Sequence, residues 1–526
     1  MPTLTIDGQE VTVDAGTTVI QAAEQIGINI PRYCYHPGLS LAGRCRMCLV
    51  EIETFPNLQI ACYTRAQDEM VVSTTSERVL SARQSMLEFL LSNHPLDCPV
   101  CDQSGECDLQ NFYMDHGQYQ SRFLENKVKK KKAFPIGPHV ILDQERCILC
   151  TRCVRFTEEV SKSNELGVFN RGSRSVIDLY PTKSLDNPYS GNVIDICPVG
   201  ALTEREFRFK CRVWYLASQE SICTGCSRGC NISLDYNGSR RAYKAGGRRV
   251  MRIKPRYNPD INKWWICDEG RFGYGFIDTD RIETPMQRTT SDLEPSDWDP
   301  ALARVAETVK AAYSEKGANG VGVIVSPQLS NEELLACREL FVEKMKLTNV
   351  AALNPWEEPG EADDFLRNAD RNPNTKGVED LGYSGDAKAV LEKAAEGEIE
   401  VLIIFRHNLA DGEAGKLLEK AKFVVYVGTN WNATAERAHV VLPGATHAEK
   451  DGTFTNFEGR VQRFKQALLP IGDSRNDSQI ISEMAAKLGY SLPASADEIF
   501  EAWKGISLDE LSGSGSSVDP DTAVQA

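Results

Sequence analysis

The chain lacks long hydrophobic runs and has no excess of basic residues. No stretch approaches the roughly eighteen uninterrupted apolar residues of a transmembrane helix. Lysine and arginine total 59 against 74 aspartate and glutamate, and the net charge of -15 argues against a protein that binds nucleic acid. The opening MPTLTIDGQE also lacks the basic and apolar regions of a signal peptide. We therefore expect a cytoplasmic chain that meets a membrane only through partners.

Several catalytic patterns are missing as well. The sequence shows no paired nucleophile and base, no Walker loop and no convincing dinucleotide fingerprint after a strand. With 526 residues, of which 41% are hydrophobic, it is long enough for several separate cores. We expect a multidomain globular protein that performs no bond chemistry of its own.

Cysteine, by contrast, is abundant, with 17 residues. In a reducing compartment these thiols are expected to bind metal rather than form disulfides. Fifteen of them fall into four groups, and Cys211 and Cys337 stand apart. The groups are Cys34, Cys45, Cys48 and Cys62; Cys98, Cys101 and Cys107; Cys147, Cys150, Cys153 and Cys197; and Cys223, Cys226, Cys230 and Cys267. Four groups suggest four metal sites.

The first group lies in a segment that opens with TLTIDGQEVTV, where Asp7-Gly8 between alternating apolar residues predicts a β-hairpin. A helix is expected over 19–26, capped by Thr17 or Thr18. Three of the cysteines occupy the long loop PRYCYHPGLSLAGRCRMC, and the fourth follows the next strand. Four thiolates with a longer first arm than in plant-type ferredoxins indicate a [2Fe-2S] cluster. A zinc knuckle is the alternative.

The second group, HPLDCPVCDQSGECDLQ at 94–110, supplies only three thiolates. A helix is predicted to begin at Ser76 and to end at His94, because Pro95 disfavours helical geometry in the residue before it. Its expected core face consists of Val79, Leu80, Met86, Leu87, Leu90 and Leu91. A cubane needs a fourth ligand, so we predict that His94 completes a [4Fe-4S] site, whereas a simple helix cap is the alternative.

Lys127 to Lys132 form the basic run KVKKKK. Such a run is usually a solvated linker, which is the interpretation we adopt for 119–136. Docking against an acidic neighbour is the alternative.

The third group reads RCILCTRCVRFTEE and, after an interval, DICPVGAL. Two-cluster bacterial ferredoxins have the run CxxCxxCxxxCP, whose fourth cysteine serves the other cluster. By that rule Cys147, Cys150 and Cys153 pair with the distant Cys197 in one [4Fe-4S] site. The ligand positions of the second cluster hold Thr157, Asn187, Ser190 and Val193. The segment therefore indicates a two-cluster module that has lost one cubane.

The fourth group combines CTGCSRGC with Cys267 in WWICDEGRFGYGF. Its small residues Gly225, Ser227 and Gly229 would let the backbone fold tightly around a cubane. A hairpin is expected at Asn237-Gly238, and the basic stretch that follows is expected to be largely solvated.

The order of these four sites, with the phrases AGRCRMCLVEI, HPLDCPVCDQSGECDLQ and ICPVGALT, resembles the large iron-sulfur subunit family of respiratory complex I, the NADH-quinone oxidoreductase. The resemblance implies that electrons enter at the [2Fe-2S] site from the FMN- and NADH-binding subunits. They would pass through the Cys147 group to the His94 group, and on to a small iron-sulfur subunit that leads to quinone, in a complex that translocates protons. The Cys223 group would lie off this path, and its gap before Cys267 is longer than the family's usual one. The chain would be a peripheral subunit on the cytoplasmic side of the membrane.

Residues after about 281 contain no cysteine group but alternate strands and helices. Strands are expected at 320–326, 399–405 and 422–428 and a helix at 331–346, which indicates a parallel α/β sheet. GATHAEKDGTFTNFEGRVQR at 444–463 resembles a phrase of molybdopterin oxidoreductases. The metal-ligating cysteine expected of such enzymes is missing. Cys337 lies in a helical pattern and is expected to be a buried apolar residue. Asp268 follows Cys267 at the position where such enzymes often have lysine. We expect no molybdopterin and interpret the domain as a structural relic.

The predicted fold is thus a series of α+β iron-sulfur modules followed by a truncated molybdopterin-oxidoreductase-like α/β domain. It would hold one [2Fe-2S] and three [4Fe-4S] clusters. The boundaries expected are 1–77, 78–118, 119–136, 137–215, 216–275, 276–507 and a disordered tail at 508–526. A chain of an NADH-linked formate dehydrogenase or hydrogenase is the alternative function, and a scaffold with four zinc sites is a third.

Overall fold

The computed structural model describes residues 1–237, 247–289, 292–352, 354 and 356–511. It contains two compact units, Met1–Leu216 and Ala217–Ser517, and each is described by itself. Among the residues so described, none forms a helix long and apolar enough to cross a membrane. Of the predicted tail, Leu508–Leu511 are helical and the rest lies outside the described residues.

The first module is a five-stranded sheet crossed by one helix. The strands are β1 (Thr3–Ile6), β2 (Gln9–Thr12), β3 (Leu49–Ile52), β4 (Gln59–Ile60) and β5 (Val71–Ser73), in the order β2-β1-β5-β3-β4, and the helix is α1 (Val19–Gln25). Asp7 and Gly8, with φ of 46° and 82°, form the turn of the β1-β2 hairpin. Thr18 caps α1. The hairpin prediction is correct, and Thr18 is the capping residue.

Helices α2 (Glu77–Asn93) and α3 (Asp108–His116) flank the second cysteine group along the chain. Ser76 accepts a hydrogen bond from the Val79 amide, and α2 ends at His94, whose backbone is extended. The buried face of α2 is narrower than the predicted core face. Val79 and Leu87 are buried but Leu80 is 38% exposed, because it lies at the edge of the helical stripe.

The basic run is docked against the protein rather than simply solvated. Lys127 Nζ donates to the carbonyls of Leu91 and Ser92, at 2.7 and 3.1 Å. These carbonyls have no partner within α2, so an ammonium group there satisfies them and opposes the negative end of the helix dipole. Lys132 forms ion pairs with Asp97 and Glu145. The acidic-neighbour alternative is therefore the correct one for Lys132.

The third module pairs two small sheets with short helices. Its elements are β6 (Phe134–Pro135), β7 (Val140–Leu142), α4 (Arg152–Arg155), β8 (Leu166–Phe169), β9 (Val176–Leu179), α5 (Asn192–Asp195) and β10 (Leu202–Glu204). The sheets are β10-β7-β6 and β8-β9. Helix α4 continues as a π-helical turn over Phe156–Val160. Thr157, Ser190 and Val193, at lost ligand positions, are buried, so this half of the module is filled by packing.

The second unit begins with an antiparallel sheet of β11 (Ala217–Ile222), β12 (Asn231–Tyr236) and β13 (Val250–Pro255), followed by α6 (Asp268–Phe272). The predicted turn at Asn237-Gly238 reaches residues outside those described, as does most of the basic stretch after it. Strands β12 and β13 nevertheless pair antiparallel on either side of it.

The remainder of this unit is an α/β domain. Its elements are β14 (Met286–Arg288), β15 (Leu293–Pro295), α7 (Trp298–Lys316), β16 (Val321–Ile324), α8 (Asn331–Cys337), β17 (Asn349–Ala351), α9 (Thr375–Asp380), α10 (Ala387–Ala395), β18 (Val401–Phe405), α11 (Gly412–Leu418), β19 (Phe423–Gly428), α12 (Ala433–Arg437), β20 (Val440–Pro443), β21 (Gly452–Thr455), β22 (Val461–Phe464), α13 (Asp477–Leu488), α14 (Ala496–Lys504) and α15 (Leu508–Leu511). The large sheet has the order β15-β14-β20-β19-β18-β16-β17, and its strands β20 to β17 run parallel. The alternation predicted a parallel sheet correctly.

Candidate iron-sulfur centres

The first cysteine group is arranged as two pairs. The side chains of Cys34 and Cys45 lie close enough to interact, and so do those of Cys48 and Cys62. The Cys45 contact lowers the pKa of Cys34, whereas the Cys62 contact and burial raise the pKa of Cys48. All but Cys45 are fully buried. Two pairs fit a [2Fe-2S] cluster, which has two iron atoms to be held by four thiolates.

His94 presents a free ligand atom to the second group. Its Nδ1 is buried and has no hydrogen-bond partner among the described residues. Burial lowers the pKa of His94 to about 4, so the ring is neutral at physiological pH and can donate a lone pair to a metal. Burial also raises the pKa of Cys107, the N-cap residue of α3, to about 12. The buried, unpartnered nitrogen is what a metal-ligating histidine requires.

The third group lines one cavity. All four of its cysteines contribute to the wall, with apolar neighbours such as Leu142 and Val199. Leu149 and Thr151 have left-handed backbone, with φ of 56° and 63°, as the chain winds between successive cysteines. Burial raises the pKa of Cys147 and Cys197 to about 12, so binding a metal must release protons. Local Cys147 and distant Cys197 meet as the ferredoxin rule predicts.

In the fourth group, glycine amides approach the sulfurs. Gly225 and Gly270 donate their amides to Cys223 Sγ and Cys267 Sγ, at 3.5 and 3.4 Å. A Cβ at position 270 would stand 2.8 Å from Cys223 Sγ, so a glycine is needed there. Burial again raises the pKa of Cys267, to about 11. Small residues thus allow the backbone to approach the sulfurs, as predicted, although the sequence pattern did not predict this role for Gly270.

A cavity extends from Cys223 toward the α/β domain. Gln328, Arg406, Thr429 and His447 line its far side. His447 belongs to the phrase that resembles molybdopterin oxidoreductases, so that phrase does lie at the cavity. Cys337 instead packs in the hydrophobic core and is 1% exposed. Among the described residues that line the cavity, Cys223 of the candidate cluster is the only cysteine, and this lining does not fit a molybdenum ligand set.

No three His, Cys, Asp or Glu side chains of the described residues converge closely enough to hold a single metal ion. A cubane requires no such convergence, because it contains four iron atoms and its ligands are shared out among them.

Two arginines link the first group to the third. Arg152 donates to the Tyr35 carbonyl at 2.6 Å, and Arg155 donates to the Cys34 carbonyl. Both arginines flank Cys153 in the sequence. Nothing in the cysteine spacing predicted this bridge, although the position of the arginines within RCILCTRCVRF is visible in the sequence.

The third group is similarly joined to the second through the segment after Cys197. The Pro198 carbonyl accepts a hydrogen bond from the Asp108 amide at 3.1 Å. A Cβ at position 200 would stand 2.4 Å from Cys101 Sγ, so Gly200 permits this close approach. Arg146, the residue before Cys147, lies 3.2 Å from the Asp97 carboxylate. Three candidate centres are thus contiguous within the first unit.

Models of five protein families match the chain in order. They are the 2Fe-2S iron-sulfur cluster binding domain at 1–77, the NADH-ubiquinone oxidoreductase-G iron-sulfur binding region at 83–122, the NADH-quinone oxidoreductase subunit 3 ferredoxin-like domain at 137–203, the NADH-ubiquinone oxidoreductase NDSU1/NuoG-like 4Fe-4S domain at 220–275, and molybdopterin oxidoreductase at 342–487. They agree with the predicted order of one [2Fe-2S] module, several [4Fe-4S] modules and a molybdopterin-oxidoreductase-like domain.

Whole-chain relatives agree with these models. The mitochondrial NADH-ubiquinone oxidoreductase 78 kDa subunit of Candida albicans is 33% identical, over 93% of this chain and 83% of its own length. An NADH-quinone oxidoreductase subunit of Rickettsia bellii is 31% identical, over 92% of this chain and 86% of its own. A solved chain of an NAD+-reducing [NiFe]-hydrogenase is 30% identical over 40% of this chain and 91% of its own, with a TM-score of 0.36. The two whole-chain relatives show that the chain belongs to the family of the large iron-sulfur subunit of NADH-quinone oxidoreductase, which is respiratory complex I.

Proposed function

We propose that this chain carries electrons within NADH-quinone oxidoreductase, from the NADH-oxidising part of the complex toward quinone, through four iron-sulfur clusters. One [2Fe-2S] cluster and three [4Fe-4S] clusters would each accept and release one electron at a time. Their proposed ligands are Cys34, Cys45, Cys48 and Cys62; His94, Cys98, Cys101 and Cys107; Cys147, Cys150, Cys153 and Cys197; and Cys223, Cys226, Cys230 and Cys267.

The observation that carries the proposal is the contiguity of three groups in the unit Met1–Leu216. Arg152 and Arg155 contact the Cys34 loop from beside Cys153, and the segment after Cys197 contacts Cys101. Five of the proposed ligands along this line are buried, namely Cys34, Cys48, Cys62, Cys153 and Cys197. The order of contact supports a route from the Cys34 group through the Cys147 group to the His94 group.

The residues of the His94 group suit the end of that route. Cys98 is exposed, and its neighbours Leu96 and Val100 are 86% and 62% exposed. A neutral imidazole replaces a thiolate there, which removes one negative charge and tends to raise a cluster's reduction potential. This group would therefore accept the electron and present it at the surface to a small iron-sulfur subunit.

The Cys223 group belongs to the other unit, Ala217–Ser517, and we assign it a cluster outside the main route. The α/β domain beside it would serve as a scaffold without molybdopterin. The partners at the electron entrance would be the FMN- and NADH-binding subunits of the complex. The chain would be a peripheral subunit on the cytoplasmic side of the membrane.

The test is low-temperature EPR of the anaerobically purified complex at stepped potentials, with one Cys→Ser variant in each group. We expect Cys48→Ser to alter only a [2Fe-2S] signal and Cys150→Ser to alter only one cubane signal. Cys211→Ala is the matched control, because Cys211 lies outside the four groups, and it should retain every signal. Colourless, EPR-silent wild-type protein that contains zinc would overturn the assignment.

A further inference from the structure

Three side chains of the helical segment that starts at Arg152 form hydrogen bonds with the loop of the first cysteine group. Arg152 Nη2 donates to the Tyr35 carbonyl at 2.6 Å, and Arg155 donates to the carbonyls of Cys34 and Ser40. One turn on, Glu159 accepts a hydrogen bond from the Ser40 amide at 2.8 Å. Residues three and four apart lie on one face of a helix, so Arg152, Arg155 and Glu159 make these contacts from a single face.

The same arginines also face the ligands of the third group. Arg152 Nη1 donates to the carbonyl of Ile196, the residue before Cys197, at 3.2 Å. The two arginines stand on either side of Cys153 along the chain. Their guanidinium groups therefore lie between the loop that carries Cys34 and the residues that carry the Cys150 group.

Both positive charges are buried, with exposures of 4% for Arg152 and 7% for Arg155. The Nε of each arginine is buried and has no hydrogen-bond partner among the described residues. The thiols of Cys34 and Cys150 lie close enough to Arg155 to interact with its charge, and Cys150 also lies near Arg152. Burying two positive charges is costly, so anionic neighbours are expected to compensate them.

We propose that Arg155, supported by Arg152, is a positioning residue shared by the first two electron-transfer centres. Its charge stabilises the reduced, more negative form of both centres, and its hydrogen bonds hold the Cys34 loop against the Cys150 group. The proposal rests on the proposed function, because it presumes clusters at both groups. When one electron leaves the Cys34 centre, which is thereby oxidised, and reduces the Cys150 centre, no proton or bond needs to change. Arg155 remains beside the electron before and after transfer.

The experiment compares Arg155→Gln and Arg155→Lys in the purified complex by EPR redox titration. Glutamine removes the charge, so at a fixed potential we expect the ratio of reduced to oxidised centre to fall about tenfold for both the [2Fe-2S] and its neighbouring cubane. The His94 cubane should change less. Arg205→Gln is the matched control, because Arg205 is exposed and lies outside this contact, and it should leave all potentials at their wild-type values.

Lysine separates charge from geometry. Arg155→Lys should keep both potentials close to wild type, whereas the loss of the forked hydrogen bonds to Cys34 and Ser40 should weaken the magnetic coupling between the two reduced centres. If Arg155→Gln left both potentials unchanged, or if Arg155→Lys shifted them as far as glutamine does, the inference would be wrong. Absence of cluster signals from the wild-type complex would instead refute the proposed function itself.

Discussion

Gly200 lies directly against the sulfur of Cys101, since a Cβ added at position 200 would stand only 2.4 Å from Cys101 Sγ. Gly200 follows Cys197 by three residues and Cys101 belongs to the next centre, so this contact joins the two candidate cubanes. The closeness needs a residue without a side chain.

Gly200→Ala should therefore displace Cys101 and disturb the His94 cubane. We expect its EPR signal to broaden or disappear, with the [2Fe-2S] signal unaltered, because the atoms nearest to a Cβ at position 200 belong to Cys101, Gln103 and Arg146. Gly275→Ala serves as the control, since nothing stands within 4 Å of a Cβ at that position and it should change no signal. An unaltered His94-cubane signal in Gly200→Ala would contradict the close approach.

His94→Cys should alter the spectrum of one cubane only and lower its reduction potential. A thiolate in place of the neutral imidazole adds one negative charge to the centre, which disfavours the reduced form. EPR at stepped potentials measures both effects. If every cubane signal and potential matched the wild type, His94 would not be a ligand.

Lys127→Met should loosen the end of α2, just before His94. Lys127 satisfies the carbonyls of Leu91 and Ser92, and a cation at a helix C-terminus is worth about 0.3–1 kcal/mol. Hydrogen exchange followed by mass spectrometry should show faster exchange in the last turn of α2. Lys129→Met is the matched control, because its side chain is 80% exposed and lies 4.0 Å from Glu145. Equal exchange in the two variants would argue against the docking of Lys127.

Glu332 should make the α/β domain less stable as pH rises. Burial raises its pKa from 4.5 to about 7, although its carboxylate accepts hydrogen bonds from Thr453 Oγ1 and N at 2.6 and 2.9 Å. Between these two pKa values the folded state binds more protons than the unfolded state, so stability falls with increasing pH in that window.

Glu332→Gln removes this ionisation and should reduce the dependence of the stability of the α/β domain on pH. The measurement is the unfolding temperature of the chain across that pH window, wild type against variant. Glu413→Gln, at a surface carboxylate, should keep the wild-type slope. If Glu332→Gln and wild type had the same slope, Glu332 would not be the group that titrates.

Metal analysis of the intact complex should find iron without stoichiometric molybdenum on this chain. From the described part of the α/β domain, Arg406 and His447 line the cavity beside Cys223 but no cysteine does, and Cys337 is enclosed in the core. One molybdenum per chain, removed by mutation of His447 but not of the core residue Cys337, would overturn the interpretation of this domain as a relic.

Local signals predicted much of the architecture. The Asp7-Gly8 turn, the Ser76 cap and the break before Pro95 depend on the backbone preferences of one or two residues, so they are legible in sequence. Fewer apolar residues of α2 are buried than the pattern predicted. Leu80, for example, lies where helical periodicity allows burial, but it is 38% exposed. Periodicity states which residues could face a core, and packing decides which do.

The sequence by itself determined the candidate ligands, since iron-sulfur chemistry needs thiolates and their spacing sorts them into four groups with His94 beside the incomplete one. Only the tertiary structure decided how those groups touch. Arg152 reaches Tyr35 across 117 positions, and Gly200 meets Cys101 from a different module. Such contacts depend on where separate modules pack. No local backbone preference encodes them, because their energy comes from charge, hydrogen bonding and close fit between distant segments.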